Sequence, residues 1–228
     1  QYQDDGPVPG CPPEKFTVIH NGIVPERFRV SVNRQRKRAE LGLNPDLPLA
    51  VTVGNLRPQK APDDLVRAAA RVQKEFGPVN FVVVGDGPLR ENVQYLIDRF
   101  EISDHVRLLG YRGDIPEILA SADIFVLPSI YEGLCIAILE AMAAGLPVIT
   151  TDIEENQEEV RNGVEGLLVP PRRPELLAAA IGEVLSDPSA AGRMGRAGRE
   201  RVEKHFTRRQ MVDKLSRLYR QLYREKSR

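Results

Sequence analysis

The stretch that decides the fold is residues 49–87, LAVTVGNLRPQKAPDDLVRAAARVQKEFGPVNFVVVGDG. It opens with an apolar run, Leu49–Val53, that ends at Gly54. A helical pattern follows over residues 62–76, and a second apolar run occupies residues 79–84. Because an unbroken apolar run is typical of a strand buried on both faces, the stretch predicts two parallel strands joined by a helix.

The same alternation of apolar strands and helices continues to the C-terminus. It predicts right-handed βαβ units, and therefore an α/β fold with a doubly wound, Rossmann-like parallel sheet. Ligands of such sheets bind beyond the carboxyl ends of the strands, so we expect function in the loops after Val53, Val84, Leu109 and Leu127. Four more strands are predicted at residues 105–109, 124–127, 148–150 and 166–169, and helices at 89–100, 115–120, 135–144 and from 174 onward.

Charge and cysteine content restrict the class of protein. Lys+Arg and Asp+Glu balance at 32 each, and a net charge of zero argues against a nucleic-acid-binding protein. The two cysteines, Cys11 and Cys135, are too few and too far apart for a disulfide framework, which favours a reducing, cytoplasmic compartment. No apolar run reaches the roughly 18 residues that span a bilayer.

The C-terminal segment is an exception to this charge balance. Residues 205–228 contain eight Lys or Arg and two Asp or Glu. Such a run is typical of a solvated helix face. Contact with a partner domain, or peripheral contact with the anionic inner face of a membrane, is the alternative interpretation.

The loop and helix after the strand at 124–127 contain the strongest functional pattern. Residues 128–148 read PSIYEGLCIAILEAMAAGLPV, with Glu132 in the loop and Glu140 in the helix. Gly133 permits a close backbone approach, and the amides at the helix start are suited to a phosphate. Because a carboxylate accepts two hydrogen bonds from sugar hydroxyls, one loop could hold sugar, diphosphate and ribose in a row. The spacing alone also fits two surface glutamates.

This string resembles the signature of the large retaining family of GT-B glycosyltransferases, which includes glycogen and sucrose synthases. The signature is a Glu, seven residues, a second Glu and Ala-Met-Ala-x-Gly-x-Pro-Val, and the resemblance covers roughly residues 16–225. It implies the C-terminal half of a GT-B fold, with Glu132 contacting the donor sugar and Glu140 binding the ribose. It further implies donor contacts from the amides of four residues, Gly133, Leu134, Cys135 and Ile136.

Three positions depart from the family pattern in or near this signature. Cys135 stands where relatives often have a second Gly, so the shape of the sugar pocket is expected to differ. In residues 152–158, which relatives often write Asp-x-Gly-Gly-x-x-Glu, Glu154 and Glu155 replace the glycines. The acidic pair is also typical of the first turn of a helix.

The loop after the first strand supplies the expected cations. It reads Gly54-Asn55-Leu56-Arg57-Pro58-Gln59-Lys60, where the family typically has Gly-Arg-x-x-x-x-Lys with both cations on the diphosphate. Lys60 matches, Asn55 occupies the usual Arg position, and Arg57 is the candidate replacement. Fixed cations stabilise the charge that develops on a departing diphosphate, so we assign Arg57 and Lys60 catalytic roles. The alternative is that both are solvated loop charges.

Two further loops complete the predicted donor site. Gly85-Asp86-Gly87 does not begin a dinucleotide fingerprint, because Arg90 occupies the sixth position. The resemblance implies instead a tight Gly-x-Gly turn on the floor of the cleft. The resemblance places the nucleobase near Tyr111 and Arg112, held largely through the backbone. Both side chains also fit an ordinary exposed loop.

No metal or cofactor is expected. The sequence lacks the Asp-x-Asp of metal-dependent sugar transferases, and its Cys and His residues have no metal-ligand spacing. The expected ligand is a substrate, a UDP- or GDP-linked hexose.

The resemblance divides the chain into three parts. Residues 1–48 are expected to be a linker and connector to a missing N-terminal acceptor domain, with 24–48 outside the core. Residues 49–206 form the donor-binding domain, and residues 207–228 a helix packing toward the missing domain. The implied activity is sugar transfer with retention to a sugar, lipid or other small acceptor, with the isolated chain inactive. The alternatives are an epimerase or phosphorylase on the same fold and a non-catalytic nucleotide-sugar-binding module.

Overall fold

Six parallel strands form one sheet in the part of the chain that the structure, a computed structural model, describes: Pro12 and residues 15–226. The order across the sheet is β3-β2-β1-β4-β5-β6, and every neighbouring pair is parallel. The strands are β1 (Leu49–Val53), β2 (Asn80–Val84), β3 (Val106–Gly110), β4 (Ile124–Leu127), β5 (Val148–Thr151) and β6 (Gly166–Val169). The predicted doubly wound, parallel α/β sheet is confirmed.

Helices connect the strands, and proline begins several of them. Pro62, Pro174 and Pro188 each occupy the first turn, where the missing N–H costs no hydrogen bond. The helices are α1 (Arg34–Glu40), α2 (Pro62–Glu75), α3 (Arg90–Arg99), α4 (Ile115–Ser121), α5 (Ile136–Ala144), α6 (Glu154–Glu159), α7 (Pro174–Ser186), α8 (Pro188–His205) and α9 (Arg208–Lys226). Short 3₁₀ turns occupy Pro25–Phe28 and Pro58–Lys60.

The core consists of two layers, one on each face of the sheet. Along β4, Phe125 and Leu127 face the layer built by α4, α5 and α8, whereas Ile124 and Val126 face the layer built by α2, α3 and α7. All four side chains are fully buried. Strands that are covered on both faces have no polar side to show, which explains the unbroken apolar runs in the sequence.

The segment before β1 also contributes to the core, so the expectation that residues 24–48 lie outside it is wrong. Arg38 of α1 donates to the carboxylate of Asp123 at the start of β4, at 2.7 Å. The segment's apolar side chains are separated by charged ones and show no periodicity, so the pattern gave no signal of burial. Three of them are buried against the α5 layer: Phe28, Leu41 and Leu43.

The strand order places a crevice at the carboxyl edge of the sheet. The chain reverses direction across the sheet between β1 and β4, and loops that follow these neighbouring strands diverge there. Gly85, after β2, lies under the loop after β1. A Cβ on Gly85 would lie 2.1 Å from the carbonyl oxygen of Gly54, and its φ of +132° is also unfavourable for other residues.

The two ends of the described chain meet beside the α5 layer. Ile23 pairs with Thr207, and the Arg208 amide donates to the Ile23 carbonyl at 2.6 Å. The following helix, α9, exposes apolar side chains such as Leu215 and Leu222. None of the helices within residues 15–226 is long and apolar enough to cross a membrane.

Candidate functional site

The candidate site lies where the loops after β1 and β4 face each other. The Ile130 amide donates to the Gln59 carbonyl at 2.7 Å, which joins the two loops directly. This contact brings the end of the Pro58–Lys60 turn beside Glu132. Two residues that lie 72 positions apart in the chain therefore share one site.

Lys60 and Glu132 form an ion pair at the centre of this site. The ammonium of Lys60 donates to Glu132 Oε1, and their side chains are only 17% and 7% exposed. Ser129 Oγ donates to the same carboxylate oxygen at 2.5 Å, and Cys135 Sγ lies 3.8 Å from Lys60 Nζ. The cation expected at the diphosphate and the carboxylate expected at the sugar are thus bonded to each other in the ligand-free chain.

A buried polar network supports Glu132 from below. The carbonyl of Ser129 accepts the hydroxyl of Thr151 at the end of β5. Asn156 of α6, fully buried, donates to Thr150 Oγ1 at 2.9 Å and to the Thr151 carbonyl at 3.0 Å. The network fixes α6 to the sheet and to the loop that carries Glu132, so the carboxylate is held in one position.

The start of α5 differs from expectation at one amide. We expected the amides of Gly133 to Ile136 to be free donors for the ligand, but the Cys135 amide donates to Glu159 Oε1 at 2.6 Å. That expectation is wrong for the Cys135 amide because a buried carboxylate from α6 already occupies it. The amides of Gly133, Leu134 and Ile136 make no hydrogen bond to another segment of the described chain.

Glu159 is the functional candidate that sequence reasoning missed. The family pattern pointed to Glu158, which is exposed and pairs with His20 at 2.8 Å, whereas Glu159 is fully buried. Burial raises the pKa of Glu159 to about 8. Asn156 and Glu159 lie three residues apart on the buried face of α6, ahead of buried Val160, so helical spacing was the signal that could have identified it.

The Cys135 side chain is a buried thiol inside this cluster. Burial raises its pKa to about 11, while nearby Lys60 lowers it and Glu132 raises it. The thiol is therefore protonated and packs as a small apolar group near the Lys60–Glu132 pair. The sulfur of Cys135 fills space beside Lys60 that a glycine at position 135 would leave open.

Glu140 lies about one turn into α5 and makes no contact with the Lys60–Glu132 pair. Its carboxylate is half-buried and makes no hydrogen bond or ion pair within the described residues. Burial raises its pKa, and Arg27 on the Pro25–Phe28 turn opposes that shift. A half-buried carboxylate with open acceptor positions is suited to receive hydroxyl donors.

Asn55 and Arg57 do not join the cluster. Both are exposed, and neither side chain has a hydrogen-bond or ion-pair partner among the described residues. Gly54 instead contacts Lys60, since a Cβ at Gly54 would lie 3.7 Å from the Lys60 Cε. The described loop thus brings together Gly54 and Lys60 and leaves the two other polar candidates in solvent.

Tyr111 and Arg112 follow β3 at the same edge of the sheet. Tyr111 is 78% exposed. Arg112 donates two hydrogen bonds to Asp114, both of 2.8 Å, and Lys37 of α1 donates to Asp114 at 2.6 Å. The Arg112 guanidinium holds the pKa of Asp114 well below its usual range. The guanidinium of Arg112 is therefore bound to Asp114, whereas the aromatic ring of Tyr111 is exposed.

Among the described residues, no group of three or more His, Cys, Asp or Glu side chains could hold a metal ion. The positive groups at the site are side-chain cations and backbone amides. Together with the sheet order, this arrangement defines a Rossmann-like domain with a helix start, a lysine and acidic side chains at its switch point.

Comparison with known proteins gives the family. The model for "Glycosyl transferases group 1" matches residues 33–201, and the chain belongs to this family. It is 35% identical over 211 residues to a UDP-Gal:alpha-D-GlcNAc-diphosphoundecaprenol alpha-1,3-galactosyltransferase from Escherichia coli, covering 91% of this chain and 54% of that protein. The chain thus spans about half the length of the curated relatives it matches.

Solved structures of GT-B glycosyltransferases share the fold. Sucrose-phosphate synthase from Thermosynechococcus elongatus superimposes with a TM-score of 0.82 at 30% identity, covering 91% of this chain and 52% of that one. HepE from Anabaena, solved in complex with UDP-glucose, gives 0.82 at 26% identity, covering 91% and 59%. The predicted fold class, a Rossmann-like half of a GT-B fold, is confirmed.

Proposed function

We propose that this chain supplies the nucleotide-sugar donor site of a retaining glycosyltransferase whose acceptor site lies in another domain. The observation that carries the proposal is the Lys60–Glu132 pair beside the start of α5, at the switch point of the sheet. A cation, a helix start and a carboxylate within one crevice match the phosphate and hydroxyl groups of a sugar nucleotide.

In this proposal the diphosphate lies at the α5 start. Lys60 turns from Glu132 to the phosphate oxygens, joined by the amides of Gly133, Leu134 and Ile136. Arg57, exposed at the mouth of the crevice, moves onto the same diphosphate. These positive groups stabilise the charge that develops as the nucleoside diphosphate leaves, so no metal is required.

The two carboxylates act on different parts of the donor. Glu140 accepts hydrogen bonds from the ribose hydroxyls, which every nucleotide ligand carries. Glu132, released from Lys60, faces the sugar, and the Cys135 thiol bounds the sugar pocket. Tyr111 and the backbone beside Arg112 lie at the base. Gly54, Asn55 and Gly85 line the floor, where the close approach of Gly85 to Gly54 leaves no room for a side chain.

UDP is favoured over GDP as the nucleotide. The name of the Escherichia coli relative specifies UDP-Gal, and HepE was solved with UDP-glucose. The acceptor is a sugar, a lipid-linked sugar or another small molecule held by the other half of the protein. We propose further that α9 packs on that half through its apolar face, which includes Leu215 and Leu222.

Calorimetric titration of the 228-residue chain with UDP and GDP, with and without a chelator, tests this function. We expect weak UDP binding that a chelator leaves unchanged, and no sugar transfer by the chain alone. Conversion of UDP-sugar by the chain without an acceptor would favour an epimerase. A large loss of affinity on chelation would contradict the metal-free mechanism.

A further inference from the structure

Glu159 occupies an unusual position beside the proposed donor site. Its carboxyl group is fully buried, and its Oε1 accepts the Cys135 amide immediately before α5. Its other oxygen, Oε2, is also buried and has no hydrogen-bond partner among the described residues. Burying a charged carboxylate that has only one hydrogen-bond partner is costly, and burying the neutral, protonated group costs less.

We propose that Glu159 is a positioning residue of the donor site, which sets the start of α5 in its protonated form and thereby couples nucleotide binding to proton uptake. The inference rests on the proposed function, because it requires an anionic ligand at the α5 start. It adds a residue that neither the family signature nor the sequence pattern assigned.

The charged groups around Glu159 come from every neighbouring segment of the site. Lys60, after β1, favours the charged form, and Glu132, after β4, opposes it. Glu158 on the same helix also opposes it. Arg201 of α8 is turned away from the carboxyl group, because its guanidinium donates to the Glu159 carbonyl at 2.8 Å. Burial, in the same direction as Glu132 and Glu158, outweighs the opposing effects of the Cys135 amide and Lys60 and raises the pKa of Glu159 to about 8.

A bound diphosphate shifts the balance between charged and protonated Glu159 toward the protonated form. It brings negative charge to the same helix start and draws Lys60 away from the carboxylates, so both effects disfavour a charged Glu159. By linkage, a ligand that prefers the protonated form must take up a proton when it binds above the pKa of the free group. Asn156 and Arg201 join α6 to β5 and to α8, so the backbone that carries Glu159 is held in place.

The test compares Glu159→Gln with Glu158→Gln, a matched control that removes an exposed carboxylate one residue away. With wild type and the control, we expect the Kd for UDP to rise about tenfold from pH 7 to pH 9, as follows for a group with a pKa of about 8. With Glu159→Gln, which keeps the acceptor for the Cys135 amide and cannot ionise, the Kd should stay constant. Effects of pH that do not involve Glu159 are common to all three proteins and cancel.

Wild type alone provides a second readout if the variant fails to fold. At pH 8, UDP binding should take up about half a proton, measured from the dependence of binding enthalpy on the ionisation enthalpy of the buffer. Parallel pH profiles for wild type and Glu159→Gln, or no proton uptake at pH 8, would overturn the inference alone. Absence of UDP binding at every pH would overturn the proposed function and this inference together.

Discussion

At the scale of single residues, the Lys60–Glu132 ion pair determines which interaction a ligand must replace when it binds. Both side chains are largely buried, and Ser129 holds the carboxylate in place. In the proposed site, a diphosphate that approaches Lys60 must compete with Glu132, so the carboxylate that is proposed to contact the sugar opposes binding of the plain diphosphate. Neutralising Glu132 and neutralising Glu140 should therefore change the affinity for UDP in opposite directions.

Glu132→Gln should tighten UDP binding, and Glu140→Gln should weaken it. Neutralising Glu132 removes a competitor worth about 1 kcal/mol, or about fivefold in Kd. Neutralising Glu140 removes charged hydrogen bonds to the ribose, worth about 1.5 kcal/mol or more, so UDP should bind at least about tenfold more weakly. Calorimetric titration of both variants with UDP checks this.

The opposite signs make the two assignments separable. Equal losses of UDP affinity in both variants would show that the roles of Glu132 and Glu140 are assigned incorrectly. Unchanged affinity in both would indicate two surface carboxylates. Unfolding by urea provides the control that each variant remains as stable as wild type.

At the scale of elements, the approach of the β1 and β2 loops sets the floor of the site. Gly85 combines a positive φ with a Cβ position that lies 2.1 Å from the Gly54 carbonyl oxygen. Gly77, before β2, also has a positive φ, of +99°, but a Cβ there would meet nothing within 4 Å. Comparing substitutions at the two glycines therefore separates the energetic cost of a positive φ from the cost of a steric clash.

Gly85→Ala should destabilise the chain by more than about 3 kcal/mol, against about 1 kcal/mol for Gly77→Ala. The difference reflects displacement of the β1 loop, and with it Lys60, by the added methyl group. Urea unfolding of both variants measures it. Similar losses in the two variants would mean that the close approach does not constrain the loop.

The elements were largely predictable, and the exceptions have a common cause. Mainly apolar runs, interrupted at Asn80 in β2 and Arg107 in β3, identified the strands, because strands covered on both faces carry few polar side chains. The same reasoning failed for residues 24–48, whose buried residues such as Phe28 are isolated among charges. It also failed for Glu159, because burial of a carboxylate depends on a partner from a distant segment, here the Cys135 amide.

At the scale of the whole molecule, α9 is the element with the least support from the rest of the described chain. Leu215 and Leu222 are 38% and 50% exposed. If their partner is the other half of a GT-B protein, replacing both by Ser should change the stability of the 228-residue chain by less than about 0.5 kcal/mol per residue. Val202→Ala, in the buried face of α8, should cost at least about 1.5 kcal/mol.

Urea unfolding of these variants distinguishes an unpartnered helix from one packed within the chain. A loss in the Leu215/Leu222 double variant comparable to that of Val202→Ala would show that α9 already packs on this domain. If this chain is the donor half of a longer protein, as proposed, the double variant should lower the transfer activity of that protein, because α9 is proposed to pack on the other half.

The crevice between β1 and β4 is the proposed binding site for a nucleoside diphosphate. Titration of the ¹⁵N-labelled chain with UDP, followed by amide chemical shifts, would locate the bound nucleotide. We expect the largest shifts on residues 54–60 and on Gly133, Leu134 and Ile136 at the α5 start. No shifts at millimolar UDP, or shifts confined to the opposite edge of the sheet around Arg38 and Asp123, would contradict it.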